Sequence, residues 1–217
     1  MMSELKRIGK LAKVDEVEMQ HLPKIGSARP REITVPEAEF EAMLRVAPPY
    51  LALILLLAHE AGLRAMTAAR LTKANCNFDA RRIIGKTKGK TLYDLPMTQR
   101  LYERLLWYCA AAEDPNEPLT AIYRSPRKIP TAGSIRSAMR EARLRVGVKL
   151  TWGLHDLRRT AARKLYLETG DIRKVQAFLG HQMLWTTCWY LGNAIQSLSS
   201  EDLEKSTKYQ WQKEEIA

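Results

Sequence analysis

The sequence predicts a mainly α-helical domain with one small antiparallel β-sheet, an α+β fold class. Apolar residues recur at helical spacing through most of the chain. Two short runs of strand type, Arg82–Gly85 and Thr91–Pro96, flank a lysine-rich turn and predict a β-hairpin. The chain has 217 residues, 46% of them hydrophobic, which is enough for a core without disulfides or metal.

The helices are predicted from their start signals and their apolar spacing. Thr34 to Glu37 fits a capping box with proline in the first turn, and the helix that it opens should bury Phe40, Met43 and Leu44. The proline-rich segment Asp114–Pro130 is predicted to be a loop. Further helices are predicted at Tyr50–Glu60, Met66–Leu71, Thr98–Ala112, Thr131–Val146, Leu154–Thr169, Ile172–Leu179 and Thr186–Ile195.

Both ends of the chain differ from the part between them. Residues 1–32 are charged and broken by Pro23, Gly26 and Pro30, which is typical of a short helix and a linker. Residues 33–198 form the predicted main domain. Residues 199–217 are predicted to be a helical tail, with Leu203 and Trp211 as apolar anchors.

The charge balance favours a polyanionic partner. Lysine and arginine number 35 against 24 acidic residues, a formal charge of +11, and neutralising phosphates releases counterions. Three scattered cysteines predict neither a zinc site nor a disulfide framework, and we expect a reducing, cytoplasmic compartment. The apolar run Leu51–Ala58 is too short to cross a membrane and predicts a buried helix, in which His59 would be a packed core histidine.

Two segments carry candidate chemistry. His155 and Arg158 lie three residues apart on a predicted helix and could reach one ligand, the arginine as a phosphate-binding fork and the imidazole as a proton carrier. A buried histidine beside a solvated arginine is the alternative interpretation. In the second segment Leu179-Gly180-His181 is followed nine residues later by Tyr190, which alone would be interpreted as a packing residue.

In combination these segments resemble the tyrosine recombinase (phage integrase) family. Ala61-Gly62-Leu63-Arg64 is similar to its first arginine box, Leu154-His155-Asp156-Leu157-Arg158 to its second, and Leu179-Gly180-His181 with Tyr190 to its third. The resemblance covers roughly Ile33–Asn193 and implies the fold of the family's catalytic domain. Residues 1–32 would then be the remnant of a preceding core-binding helix plus the linker, being too few for a whole core-binding domain. Residues 199–217 would be a tail that docks onto another protomer.

The resemblance implies an enzyme that cleaves and rejoins DNA through a 3′-phosphotyrosyl intermediate. Arg64 and Arg158 would clamp the phosphate, Tyr190 would attack the phosphorus, His155 would manage the tyrosine proton, and His181 would donate a hydrogen bond to the phosphate. The implied partner is double-stranded DNA, bound by a homo-tetramer that is a monomer or weak oligomer without it. Neither metal nor another cofactor is implied.

The same family uses a hairpin lysine to protonate the departing 5′-oxygen. Lys88 stands eight residues before Pro96, as the family pattern requires, and is preferred to Lys86 and Lys90. In the alternative interpretation, all three lysines are turn charges that steer DNA.

The sequence also departs from the family pattern. Thr67 stands where an acidic residue is common, and Arg70 where an apolar residue is usual. Two other functions stay open: a type IB topoisomerase-like nicking-closing enzyme, and a non-catalytic DNA-binding regulator derived from an integrase. The complete catalytic set argues against the regulator, and the Leu-Gly-His box and the tail favour the recombinase over the topoisomerase.

Overall fold

A computed structural model describes residues 33–87, 92–147 and 152–195 of the chain. The predicted linker at 1–32, the predicted tail at 199–217, and Lys88 and Lys90 lie outside the described residues. Within them the chain is mainly helical with one small antiparallel sheet, as the sequence predicts.

The first two helices bring apolar side chains into the core. Helix α1, Glu37–Val46, buries Phe40 and Met43 completely, while Leu44 is only partly buried. The predicted capping box is wrong, because Pro36 is the N-cap and no side chain caps the helix. The Thr34 hydroxyl instead accepts a hydrogen bond from Arg163 at 3.1 Å. Helix α2, Pro49–Glu60, is buried over most of its length.

A short helix and a sheet follow. Helix α3 spans Ala65–Ala68, which is shorter than predicted, and strands β1, β2 and β3 span Cys76–Asn77, Arg82–Lys86 and Leu92–Pro96. The predicted hairpin is confirmed as β2 and β3, whose buried pair Ile83 and Leu95 faces the core. The two-residue β1 adds a third antiparallel strand that the sequence does not predict.

Six further helices complete the described chain, and most have clear end signals. Thr98, Thr131 and Asp171 are side-chain N-caps, and Gly147, Gly170 and Gly180 end helices in the left-handed conformation. One short helix lies inside the predicted loop. The helices are α4 Gln99–Ala110, α5 Leu119–Ile122, α6 Ala132–Val146, α7 Leu154–Thr169, α8 Ile172–Leu179 and α9 Leu184–Leu191, with a 3₁₀ turn at Gly192–Ile195.

Packing around α2 positions the segments with candidate chemistry. Helix α2 contacts α1, α3, α4, α5, α6 and α7, so it forms the centre of the larger core. A smaller cluster joins α7, α8 and α9 through Ala162, Tyr166, Val175, Leu179 and Leu191. Helix α7 carries His155 and Arg158, α9 carries Tyr190, and His181 lies in the turn between α8 and α9. The three helices contact one another, and α7 packs against the central helix α2. Among the described residues, every helix is too short or too polar to cross a membrane.

Candidate active site

Arg158 lies at the centre of the candidate site. It stands on α7 with only 4% of its surface exposed. The alternative interpretation, a buried histidine beside a solvated arginine, is therefore wrong, because the arginine is the buried residue of the two. Its guanidinium donates one hydrogen bond to the Gly62 carbonyl and another, 2.5 Å long, to the Leu179 carbonyl. Burial lowers the pKa of Arg158 to about 10, so it stays charged at neutral pH. The side chain therefore ties the segment after α2 to the end of α8.

Gly62 has a left-handed backbone and a crowded position. Its φ is +59°, and a Cβ atom there would lie 2.5 Å from Cε1 of Phe178. Only glycine meets both conditions without strain. This turn presents the Gly62 carbonyl to Arg158 and sends the chain on to Arg64.

Arg64 is the exposed member of the arginine pair. It is the extended N-cap of α3, and it lines a shallow depression together with Arg158, Thr67 and Gly180. Its charge is one of the influences that lower the pKa of Arg158. The arrangement places two guanidinium groups where an anion could bind between the end of α8 and the start of α3.

Tyr190 reaches this pair from α9 of the same chain. Its hydroxyl donates to the backbone carbonyl of His155 at 3.2 Å. Burial raises the pKa of Tyr190, while the charges of Arg158, Arg159 and Arg64 and a hydrogen bond with Arg158 act against that rise. The phenol is therefore protonated at neutral pH and needs a base before it can attack.

His181 follows the left-handed Gly180 and stands beside Tyr190. Their rings meet edge to face with centroids 5.4 Å apart, and Nδ1 of His181 lies 3.1 Å from Oγ1 of Thr187. Burial, with the charges of Arg158 and Arg64, lowers the pKa of His181 to about 4. The imidazole is neutral at physiological pH.

His155 is close to Tyr190 through its backbone. Its imidazole is exposed, and no described residue hydrogen-bonds to it. His155 and Arg158 stand one helical turn apart, as the spacing predicts, but only the arginine is buried. The histidine ring is thus open to a ligand at the surface, while its backbone carbonyl binds the Tyr190 hydroxyl.

Comparisons with known proteins identify the family. The sequence model of the phage integrase family matches residues 34–196. The chain belongs to the phage integrase family. The tyrosine recombinase XerA of Thermococcus kodakarensis is 30% identical over 190 residues, which cover 85% of this chain and 66% of that protein. The chain thus spans just under two thirds of this relative's length.

Solved structures support the same fold. A crystal structure of XerA recombinase has a TM-score of 0.64 at 20% identity and covers 86% of this chain and 65% of the other. The XerH site-specific recombinase bound to a palindromic difH substrate, a post-cleavage complex, has a TM-score of 0.60 at 19% identity, with 85% and 55% covered. The fold class predicted from the sequence is confirmed.

Of the three candidate hairpin lysines, the structure describes only Lys86. Lys88 and Lys90 lie outside the described residues. Lys86, at the end of β2, is exposed and lines a depression with Thr67, Thr87 and Tyr93, three residues that also line the depression beside Arg64. The β2–β3 hairpin therefore lies next to the arginine pair, and Lys88 stays a prediction.

Two departures from the family pattern have a clear place. Thr67 lines the depression beside Arg64, so no carboxylate stands at that point. Arg70 is exposed, and its guanidinium lies 3.5 Å from the Met66 carbonyl on its own helical turn. An exposed position explains why an apolar residue is not needed there.

Some neighbours of the candidate nucleophile were not singled out by the sequence. The Arg159 guanidinium stands over the Tyr190 ring, 5.0 Å from its centroid, and lies 3.8 Å from the Asp156 carboxylate. Thr187 is fully buried against His181. The sequence contains an Arg-Arg pair at 158–159 and a Thr-Thr pair before Tyr190. Their closeness to Tyr190 and His181 is seen only in the folded chain, where α7 packs against α9.

The third histidine that the structure describes, His59, has a structural role. His59 stacks on Phe40 with ring centroids 3.9 Å apart, which confirms the prediction of a packed histidine. Within the described ranges, no three histidine, cysteine or acidic side chains cluster as a metal site would require.

Proposed function

We propose that this chain is the catalytic part of a site-specific DNA recombinase or integrase. The observation that carries the proposal is the meeting of Tyr190 with Arg158 within one chain, with His181 in contact with the same tyrosine and Arg64 beside the same arginine. A phenolic nucleophile next to two phosphate-binding guanidinium groups suits attack on a phosphodiester.

The proposed reaction exchanges one phosphoester for another. The Tyr190 oxygen forms a bond to phosphorus, the bond from phosphorus to the 5′-oxygen breaks, and the DNA is left with a 5′-hydroxyl and a 3′-phosphotyrosyl linkage. His155 takes the phenolic proton, and a hairpin lysine, Lys88 by sequence, protonates the departing 5′-oxygen. A second 5′-hydroxyl reverses the step, so the reaction consumes neither water nor a nucleotide.

The two arginines would stabilise the transition state, and His181 would add a neutral donor. The pentavalent phosphorus spreads additional negative charge over its non-bridging oxygens, where preorganised donors act most strongly. Arg158 is held by two backbone carbonyls before any ligand arrives, so its position costs little on binding. A regulator that only binds DNA has no need of a tyrosine hydroxyl against this cluster.

Double-stranded DNA is the proposed partner, and a homo-tetramer on two duplexes is the proposed working assembly. The formal charge of +11 supports a polyanionic partner, and a structural neighbour is a recombinase bound to its DNA substrate. Because the proposed substrate is DNA of a microbial cell or mobile element, the proposed compartment is the cytoplasm.

A covalent trapping experiment with Tyr190→Phe tests the function. The variant loses one phenolic oxygen, so it should bind DNA almost as the parent does and form no denaturation-resistant adduct with a nicked suicide duplex. Tyr102→Phe is the matched control, because the Tyr102 ring contacts Phe78 and Arg81 outside the candidate site and phenylalanine keeps those contacts. An adduct that persists in Tyr190→Phe contradicts the assignment, and supercoil relaxation without strand exchange would indicate the topoisomerase-like alternative.

A further inference from the structure

Thr187 has a buried hydroxyl with a single described partner. Its side chain is completely buried on α9, one helical turn before Tyr190, and Oγ1 lies 3.1 Å from Nδ1 of His181. Other threonines in the described chain, Thr160 and Thr169, donate to the carbonyl four residues earlier. Within the described residues Thr187 makes no such bond, and Nδ1 of His181 is the hydrogen-bond partner of its hydroxyl.

A neutral imidazole exists in two tautomers, and this contact selects between them. If Nδ1 carried the proton it would donate to Oγ1, and the buried hydroxyl hydrogen of Thr187 would have no acceptor. An unpaired buried donor is disfavoured, because it has given up its hydrogen bond to water and gained none in return. If Oγ1 donates to Nδ1, both groups are satisfied and the ring proton is on Nε2.

We propose that Thr187 is a positioning residue that donates its hydroxyl hydrogen to Nδ1 of His181 and so fixes the ring proton on Nε2, where it can bond a phosphate oxygen. This inference rests on the proposed function, in which Arg64 and Arg158 hold that phosphate. The other tautomer would turn the Nε2 lone pair towards an anion, which is repulsive. Because Thr187 and Tyr190 share α9, the helix that carries the nucleophile also sets the donor.

The neighbouring charges explain why a fixed tautomer is useful here. Arg158 and Arg64 disfavour a third positive charge, and burial acts in the same direction on the pKa of His181. A histidine that cannot become charged can still donate one hydrogen bond, but only if its proton is on the nitrogen that faces the substrate. Arg159 contacts Tyr190 in a different way, since its guanidinium stands over the Tyr190 ring while the His181 ring meets that ring edge to face.

Nitrogen-15 NMR of the whole chain measures the tautomer directly, without DNA. The chain has four histidines, and the His181 signals are identified by their loss in His181→Ala. We expect the Nε2–H form in the parent and in Thr187→Ser, which keeps the hydroxyl. Thr187→Val has the same shape without the donor and should show the Nδ1–H form or a mixture. An Nδ1–H parent, or an Nε2–H form unchanged in Thr187→Val, overturns the proposal.

Cleavage rates then test whether the tautomer matters for the reaction. Thr187→Val should slow formation of the covalent adduct about tenfold or more, and Thr187→Ser should restore most of the rate. In a His181→Ala background, Thr187→Val should have no further effect, because the hydroxyl acts only through the imidazole. Equal slowing in both backgrounds overturns the proposal.

The experiments distinguish a failure of the proposed recombinase function from a failure of the proposed role of Thr187. If the parent chain forms no adduct, or Tyr190→Phe forms one, the recombinase assignment fails whatever the NMR shows. If the parent cleaves DNA and its His181 carries the proton on Nδ1, the assignment stands and the role of Thr187 is overturned. If Thr187→Val does not fold, the parent and Thr187→Ser spectra still decide the tautomer.

Discussion

Arg158 combines a structural task with the proposed catalytic one. Its guanidinium satisfies two buried carbonyls, and its positive charge also acts to lower the pKa of Tyr190. A lysine has one compact ammonium group in place of a planar fork, so it cannot make these contacts together. Removing Arg158 would also cost stability, because it would leave two buried carbonyls without their donors. This cost does not apply to the exposed Arg64.

Exchanging the two arginines for lysine should therefore separate their roles. We expect Arg158→Lys to slow cleavage about a hundredfold or more and to lower the free energy of unfolding by about 1–3 kcal/mol. Arg64→Lys should slow cleavage about as much and change stability by less than about 0.5 kcal/mol, because Arg64 is exposed. Single-turnover cleavage and urea unfolding measure both effects. Near-normal cleavage by Arg158→Lys would be incompatible with the clamp.

The lowered pKa of His181 predicts a pH dependence of stability. The folded state keeps this imidazole neutral to about pH 4, whereas the unfolded chain protonates it near its ordinary pKa of 6.5. Between these values the unfolded state binds more protons, so the free energy of unfolding should fall as pH is lowered from 7.5 to 5. The group is partly exposed, and after discounting for solvent screening we expect its share to be about 1 kcal/mol.

His181→Asn provides the matched measurement. Asparagine keeps a polar side chain but does not titrate, so the variant should lose less stability than the parent between pH 7.5 and 5. Glu60, whose pKa is also lowered, is present in both proteins, so its contribution cancels in the comparison. Identical pH profiles for the two proteins in urea unfolding would show that His181 is not held neutral by the fold.

At the scale of the elements, the turn between α2 and α3 is the sharpest constraint. We expect Gly62→Ala to be more destabilising than Gly170→Ala, although both glycines have a left-handed backbone. At Gly170 nothing lies within 4 Å of an added Cβ, so that variant measures backbone strain alone, about 1 kcal/mol. At Gly62 the clash with Phe178 adds a further ~1–3 kcal/mol. Urea unfolding of both variants tests this, and equal losses would mean that Phe178 moves aside freely.

The elements also show what the sequence could predict. The hairpin, the long helices and the buried Phe40 and Met43 followed from periodicity, because their burial is dictated by local pattern. The capping box failed because Arg163, 129 positions away, binds the Thr34 hydroxyl, and no local pattern encodes such a contact. Strand β1 has two residues, too few to produce an alternation.

For the candidate site, the sequence predicts residues but not the contacts between them. The motif spacing indicated Arg64, His155, Arg158, His181 and Tyr190. The hydrogen bonds of Arg158 to Gly62 and Leu179 join segments that are 96 and 21 residues away along the chain, so only the folded structure reveals them. The same holds for the contact between Thr187 and His181, because a threonine before a tyrosine on a helix is ordinary sequence.

At the scale of the whole molecule, the net charge and the two arginines of the candidate site predict how this chain binds DNA. The formal charge of +11 attracts any duplex, and the candidate site recognises a phosphodiester, a group common to every sequence. Contacts to phosphates position a protein on DNA, whereas contacts to base edges specify sequence.

We therefore expect this chain to bind DNA mainly through phosphates, with steep salt dependence and little sequence preference. Each neutralised phosphate releases counterions, so about six contacts would lower the affinity roughly a thousandfold between about 50 and 200 mM salt. Gel-shift titrations across salt, with palindromic and random duplexes of equal length, measure both the slope and the preference. The yield of covalent adduct on a suicide duplex should fall over the same salt range, because binding then limits the chemistry. Tight, sequence-selective binding at physiological salt would contradict this prediction and would show that these residues read base edges as well as phosphates.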